Sequence, residues 1–161
     1  MQRDAIIDLM NDPVAQELVK APIHARLAYC ARNGSPRVIP IGYIWNGEVF
    51  AIGSPVNSPK VKALAANPKV ALTVDTESFP PHVLLVRGEA AVEIVDGVPD
   101  EFVEASRRFI GEEGMPKWES GVRALYTQMA LIRVMPTWAK ILDFETRLPS
   151  SVEELIKVNA G

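Results

Sequence analysis

The stretch "RVIPIGYIWNGEVFAIGSPVNSPKVKALAANPKVALTV", residues 37–74, decides the fold of this chain. It reads as a strand, a turn, a second strand, a short helix and a further strand. Asn46-Gly47 is a typical two-residue hairpin turn between apolar runs. Ser58 suits a helix N-cap, Pro59 suits the first helical position, and Asn67-Pro68 supplies the stop. This order predicts antiparallel, hairpin-joined strands with a helix inserted between them.

The inserted helix begins with an unusual charge. Its first turn contains Lys60 and Lys62 and no carboxylate. Because backbone N–H groups already make a helix N-terminus positive, cations there typically cost a few tenths to about 1 kcal/mol. A phosphate at this end would receive backbone N–H groups, the Ser58 hydroxyl and one or two ammonium groups together. The sequence therefore predicts an anion-binding site at the start of the helix.

Pro40 interrupts the first strand of the stretch. Proline cannot donate a hydrogen bond to a ladder, so one side of this strand is expected to have no neighbouring strand. A flat heterocycle could lie there, and Arg37 at the start of the strand could contact an anion. The alternatives are a bulge at a barrel rim for Pro40 and a solvated turn for Arg37. Together with the two lysines, these residues favour a ligand.

The rest of the chain predicts further strands and short helices. Two amphipathic helices are expected within residues 1–20, broken by Pro13. The other expected elements are the strands "IHARLAYCAR", "HVLLVRGEAAVEIV", "MALIRVMP" and "TWAKILDF", and helices over "PDEFVEASRRFIGEEG", residues 118–125 and "SSVEELIKV", the last capped by Ser150 or Ser151. Six or seven mostly hairpin-joined strands predict a mainly β, α+β fold, with an antiparallel barrel rather than a doubly wound sheet.

Composition limits the classes of function. A chain of 161 residues, 48% hydrophobic, is expected to form one domain, and its net charge of −3 argues against a general nucleic-acid or anionic-membrane surface. No apolar run approaches the roughly 18 residues of a membrane span and the N-terminus does not resemble a signal peptide, so we expect a cytoplasmic protein. The single cysteine, Cys30, excludes an internal disulfide and is expected to be buried. His24 and His82 have no cysteine or acidic cluster at ligand spacing, so no metal site is expected.

The quoted stretch resembles the pyridoxamine 5'-phosphate oxidase-like flavin-binding split barrels, a superfamily that also contains deazaflavin-dependent reductases. The resemblance runs from about Ala25 to Phe144 and is looser over "RVMPTWAKILDF". It implies a six-stranded antiparallel split barrel of Greek-key type over residues 22–145, with helices in residues 1–20 and 150–158. It also implies a homodimer with two flavin sites at the subunit interface.

The same resemblance implies a cofactor site built from several segments. The strand from Arg37 to Gly42 would lie along the flavin ring and ribityl chain, and the strand end and helix start that follow would hold the phosphate. The oxidases themselves usually have an arginine beside the phosphate lysine, where this chain has Pro59. The expected cofactor-binding residues are Arg37, Val38, Ile39, Pro40, Ile41, Gly42, Gly53, Ser54, Ser58, Lys60, Lys62 and Trp138. For Trp138, core packing is the alternative.

The function that follows is an FMN-dependent oxidoreductase acting on an unidentified small molecule. A flavin needs little from side chains beyond fixing the ring and tuning it, which agrees with the lack of any catalytic triad in the sequence. One alternative is a reductase that uses the deazaflavin coenzyme F-420, whose long anionic tail would need further basic residues, for which Lys62, Lys69 and Arg87 are available. Another is a non-enzymatic flavin- or haem-binding module. Pyridoxamine phosphate oxidation itself is not expected, because "FETRLP" does not match the arrangement that holds that substrate.

Overall fold

A computed structural model describes residues 1–160, which form one seven-stranded antiparallel sheet and six helices. The helices are α1 (Arg3–Met10), α2 (Pro13–Lys20), α3 (Pro59–Ala66), α4 (Asp100–Ile110), α5 (Met115–Leu125) and α6 (Ser150–Asn159). The strands are β1 (Ala25–Cys30), β2 (Pro36–Ile41), β3 (Ile44–Trp45), β4 (Phe50–Ser54), β5 (Lys69–Asp75), β6 (Val83–Asp96) and β7 (Gln128–Leu142). No helix in this part of the chain is both long and apolar enough to cross a membrane.

The sheet curls until its two edges meet. Its strand order is β2-β1-β5-β6-β7-β4-β3, with every neighbouring pair antiparallel. The edge strands β2 and β3 are nevertheless joined through only Gly42 and Tyr43, so the two edges must lie side by side. This closure confirms the mainly β, antiparallel barrel that the sequence predicts. It also leaves β2 paired with β1 alone, as Pro40 indicates.

Three of the predicted strands differ from the observed ones. The run "RVIPIGYIW" was expected to be one strand, but it is divided between β2 and β3 because the buried Tyr43 turns the chain from one edge to the other. The runs "MALIRVMP" and "TWAKILDF" were expected to be two strands, but both belong to β7. Where a break was expected, β7 instead carries a bulge that absorbs the proline within the strand.

The bulge lies where β7 pairs with β6. Arg87 pairs with Trp138 and Gly88 pairs with Pro136, so Thr137 has no partner on β6. A Cβ atom on Gly88 would lie 2.4 Å from the carbonyl oxygen of Met135, which is far too close. Only glycine therefore allows the two backbones to approach at this point.

The barrel interior is filled by alternate residues of the strands. Fully buried side chains include Leu27 of β1, Phe50 of β4, Leu84 of β6 and Ile132 of β7. Helices α1 and α2 add buried residues such as Met10 and Leu18 to the same cluster; the helices α4 and α5 contribute to a smaller cluster of their own. Because one face of each strand packs in this core, the other face is available for binding.

Helices α4 and α5 form an insertion between β6 and β7. The two strands pair as far as Asp96 and Gln128, and the next residue on each side closes the ladder, since Gly97 N–H donates to the Thr127 carbonyl at 2.7 Å. Arg108 connects α4 to helix α2 and to the barrel by donating to the carbonyl oxygens of Val19 and Tyr43. Arg108 also stands in the last turn of α4, where a positive charge complements the helix dipole.

The caps of α3 and α6 differ from the predicted ones. Ser58 occupies the N-cap position of α3, but its hydroxyl accepts a hydrogen bond from Lys60 and makes no side-chain cap. Pro149 occupies the N-cap position of α6, and the Ser150 hydroxyl accepts a hydrogen bond from Lys140. Both serines are near the predicted helix starts, yet a neighbouring lysine binds each hydroxyl.

A buried carboxylate fixes the chain after the barrel. Asp143 accepts hydrogen bonds from the Thr146 hydroxyl, from the backbone N–H groups of residues 145–147 and from the Arg147 guanidinium, which also contacts Asp12. The Thr146 hydroxyl, followed by the Arg147 backbone N–H, holds the pKa of Asp143 well below its usual range. Asp12 in turn accepts from Val14 N–H at the start of α2. The network therefore ties the end of the barrel to the N-terminal helices.

Candidate functional site

A groove crosses strands β1, β2, β5 and β6 on the face of the sheet that points away from the core. Its side chains alternate with core residues: Ala28 follows the buried Leu27, and Arg87 follows the buried Val86. The groove has two adjoining parts. The cationic cavity, about 450 Å³, is lined by Arg37, Lys69, Arg87 and neighbouring residues. The apolar cavity, about 240 Å³, is lined by Val38, Leu72, Leu85 and Trp138 among others.

A third cavity, about 290 Å³, connects this groove to the start of α3. It shares Tyr29 and Arg37 with the cationic cavity and is also lined by Arg32, Pro59 and Lys62. The third cavity therefore joins strand β2 to the first turn of α3 at Pro59 and Lys62, whereas Ser58 and Lys60 line none of the three cavities. Arg37 lines both the cationic and the third cavity, and its guanidinium donates only to the carbonyl of Pro36, at 3.1 Å.

The cations around the groove have no ion-pair partners within residues 1–160. These residues are Arg32, Arg37, Lys60, Lys62, Lys69 and Arg87. Elsewhere in the protein arginines do form ion pairs, for example Arg107 with Glu112 and Arg133 with Glu93. Glu89 is the acidic residue that lines the cationic cavity, and it pairs in register with Lys69 without an ion pair. The concentration of free positive charge is local, in a chain whose net charge is −3.

Lys60 is the cation in the least favourable position. Its Nζ atom is half-buried in the first turn of α3 and donates to the Ser58 Oγ at 3.0 Å. Burial lowers the pKa of this ammonium group, since it loses hydration without gaining a carboxylate. The positive end of the helix adds to the unfavourable field. A bound phosphate would remove both penalties, so the residues at this helix start fit an anionic group.

Trp138 and Arg87 form a stacked pair between the two parts of the groove. The Arg87 guanidinium lies over the indole of Trp138, 4.4 Å from the ring centroid. Trp138 is half-buried and lines the apolar cavity together with Val38, which is 66% exposed. The structure therefore brings Trp138 into one groove with Arg37 and Val38, although Trp138 is about a hundred residues away from them in sequence.

Other predicted site residues lie elsewhere. Ile39 and Ile41 point into the core, whereas Pro40 lines a polar cavity of about 390 Å³ with His24, Arg26 and Asp75. Their side chains alternate as a strand requires. Contact of Ile39 or Ile41 with a cofactor would therefore use backbone atoms.

Gly42, Gly53 and Ser54 do not line the groove. The two glycines line a separate cavity beneath α4, and a Cβ on Gly53 would lie 2.5 Å from the ring of Phe102. Ser54 is fully buried, and its hydroxyl donates to the Pro55 carbonyl at 3.3 Å. Their assignment to a phosphate site stays a prediction, since Phe102 covers Gly53 in this arrangement.

Several groove residues were missed by the sequence reasoning. Cys30 was expected to be buried, but it is half-buried and lines the cationic cavity with Tyr29 and Thr137. No local sequence pattern marks Arg32, which shares a cavity with Lys62. Alternation along β1 from the buried Leu27 would have placed residues 28 and 30 on the face away from the core. Within residues 1–160 there is no group of three or more His, Cys, Asp or Glu that could hold a metal ion.

Comparison with known proteins identifies the family and similar folds. The family model described as pyridoxamine 5'-phosphate oxidase matches residues 12–138. A solved F420 reductase is similar at 26% identity and a TM-score of 0.61, over 78% of this chain and 94% of that one. The fold is also similar to General Stress Protein 26 from Bacillus anthracis, at 18% identity and TM-score 0.59 over 84% and 96% of the two chains. A FAD-binding protein from Mesorhizobium loti matches at 21% identity and TM-score 0.51 over 77% and 88%. No curated protein sequence gives a significant match.

Proposed function

Since the chain belongs to the pyridoxamine 5'-phosphate oxidase family, we propose that it is an oxidoreductase that binds a flavin-type coenzyme in the groove across β1, β2, β5 and β6. The observation that carries the proposal is the set of unpaired cations around an otherwise apolar groove. A flat apolar ring with an anionic tail would satisfy both parts at once. The half-buried ammonium of Lys60 supports the same conclusion, because it has no counter-charge of its own.

The number of cations favours coenzyme F-420 over FMN. FMN ends in one phosphate and would need one anion subsite, for which Lys60 and Ser58 would suffice. The long anionic tail of F-420 would also use Arg32, Lys62 and Lys69, which line the cavities beside that helix start. The similarity to an F420 reductase at 26% identity supports this choice. FMN is the second candidate, favoured by the single serine-lysine helix start.

In this role the chain binds and orients, and the coenzyme supplies hydride transfer when it is bound. Lys60 and its neighbours would hold the anionic tail, which fixes the ring by its far end. Val38, Ala71 and Trp138 would contact the ring and exclude water from one of its faces. Pro40 and Arg26 line the polar cavity beyond the apolar one, which leaves room for a polar second reactant next to the ring.

The proposed site would be completed by a second copy of the chain. Val38 and Met135 expose 66% and 39% of their surface, and the groove is open along the free edge of β2. A partner subunit lying on this face would bury the exposed apolar area and cover the ring. The proposal is thus a homodimer with the coenzyme between the subunits.

Titration of the purified protein with F-420 and, separately, with FMN tests the proposal. Binding is followed by coenzyme fluorescence, for the parent and for Lys60→Ala. Lys117→Ala is the matched control, because Lys117 also stands in a first helical turn behind a proline but belongs to α5 and not to the helix start beside the groove. We expect Lys60→Ala to weaken binding about tenfold or more, as removal of a charged hydrogen-bonding partner typically does. Equal affinities for Lys60→Ala and Lys117→Ala, or no binding of either coenzyme to the parent, would refute the proposal.

A further inference from the structure

Arg87 has a position that no other charged residue shares. Four residues line both parts of the groove, namely Ala28, Val38, Ala71 and Arg87. Within residues 1–160, Arg87 is therefore the only charged side chain at the boundary between the cationic and apolar cavities. Lys69 and Glu89 belong to the cationic cavity alone, and Arg37 belongs to the cationic cavity and the third cavity. Arg26 belongs to the apolar cavity and the polar cavity beyond it.

One edge of a flavin-type ring matches the boundary between the two cavities. Ring and tail are joined at the ring nitrogen N10, and the neighbouring atoms on that side are N1 and the C2 carbonyl. This edge gains negative charge when the ring is reduced, and a cation placed beside it tunes the ring electronically. If the apolar cavity takes the ring and the cationic cavity takes the tail, the boundary between them coincides with this edge.

We propose that Arg87 faces the N1 and C2 carbonyl edge of the bound ring and stabilises the charge that this edge gains on reduction. The inference rests on the proposed function and deepens it, because it separates one cation that sets the reduction potential from those that hold the tail. Arg87 is suited to the task, since a guanidinium remains charged and offers several planar N–H donors.

The surrounding structure fixes Arg87 more firmly than a solvated arginine needs. Its guanidinium stacks on Trp138 at 4.4 Å from the ring centroid, and its backbone carbonyl accepts from the Thr137 hydroxyl at 3.3 Å. The strand bulge begins at the same point, between Arg87 and Gly88. Bulges commonly re-aim a side chain next to a functional site. Trp138 therefore acts as the positioning residue, which keeps the guanidinium at the boundary.

The test is the reduction potential of the coenzyme-loaded protein, measured by equilibration with a reference dye, with F-420 or with FMN if only FMN binds. Arg87→Gln is compared with Lys69→Gln, which removes the same charge from the cationic cavity but not from the boundary. For Arg87→Gln we expect the affinity for the reduced coenzyme to fall about tenfold more than the affinity for the oxidised one. For a two-electron couple this ratio equals a potential lowered by about 30 mV. Lys69→Gln should weaken both forms about equally and leave the potential unchanged.

Two further variants separate charge from packing. Arg87→Lys keeps the charge and is expected to retain more of the parent potential than Arg87→Gln does. Trp138→Leu removes the stacking surface and should lower the reduction potential by less than Arg87→Gln does. Trp138→Phe keeps an aromatic ring under the guanidinium and should have a potential close to that of the parent. If Arg87→Gln is too unstable to load with coenzyme, the Arg87→Lys and Trp138→Leu pair carries the test alone.

The outcomes distinguish this inference from the proposed function. Unchanged potentials in both Arg87→Gln and Trp138→Leu, with coenzyme still bound, would overturn the role of Arg87 and leave the proposed function standing. An equal shift for Arg87→Gln and Lys69→Gln would also overturn it, because the effect would then be a general field of the groove. A parent protein that binds neither coenzyme would overturn both proposals together.

Discussion

Replacing Gly88 by alanine tests how tightly the bulge between β6 and β7 is packed. The added Cβ would lie 2.4 Å from the Met135 carbonyl oxygen and 3.1 Å from a Val134 methyl group. Because the first neighbour is backbone, it cannot turn aside as a side chain would, and the two strands must separate locally. Overpacking of this kind typically costs about 1–3 kcal/mol. For a protein of this size each kcal/mol lowers the melting temperature by roughly 2–4 °C, so we expect a decrease of about 2–12 °C.

Gly121→Ala provides the opposite control. Gly121 is in the exposed part of α5, and nothing lies within 4 Å of the position its Cβ would take. Alanine in a helix interior is favoured over glycine by about 0.5–1 kcal/mol, so this variant should melt slightly above the parent. Calorimetry or circular dichroism of the three proteins makes the measurement. A Gly88→Ala protein as stable as the parent would show that the ladder shifts freely at this point, and the argument that the bulge fixes Arg87 would fail with it.

Three other expectations are independent of this one. Cys30 lines the cationic cavity, so modification of its thiol by a bulky maleimide should abolish coenzyme binding. Coenzyme bound beforehand should slow the modification. Modification without loss of coenzyme binding would show that Cys30 is not part of the site. Asp143→Asn should lower the free energy of unfolding at neutral pH and make it fall less steeply in acid. Because the pKa of Asp143 is depressed in the folded protein, its stabilisation is present above about pH 4 and is lost as the pH falls below the unfolded pKa. Parallel curves of stability against pH for the variant and the parent would contradict this. Sedimentation at micromolar concentration should give a dimer of the 17.7 kDa chain, and a monomer alone would refute the shared site.

Local sequence signals predicted much of the fold. The Asn46-Gly47 turn and the Ser58-Pro59 start were recognisable because turns and helix starts depend on a few adjacent residues. The number of hairpin-joined strands predicted an antiparallel barrel, and the strand order with the short connection between β2 and β3 confirms it. The division of "RVIPIGYIW" into two edge strands was not predictable from its apolar pattern, since it depends on how the far edge of the sheet returns.

The candidate site was predictable only in part. Lys60 was conspicuous because a lysine at a helix start conflicts with a local electrostatic rule. The contact between Arg87 and Trp138 was not predictable from local sequence, because it depends on the pairing of β6 with β7, and the two residues are about fifty positions apart in the chain. The covering of Gly53 by Phe102 was likewise invisible in sequence, since a helix inserted between two strands gives no signal of where it packs.

The hydrogen bond between Gly97 and Thr127 bears on how this chain can change over evolution. It closes the ladder of β6 and β7 at the point where α4 and α5 leave it, so both ends of the helical insertion are attached at one place. A short turn at that place would join the same two strands in the same register. The parts of the helical pair that do not contact the barrel can therefore be lengthened or shortened without changing the register of β6 and β7, while Arg108 and Phe102 hold α4 in place. The barrel and its groove would be inherited as one unit and the helical cover as another.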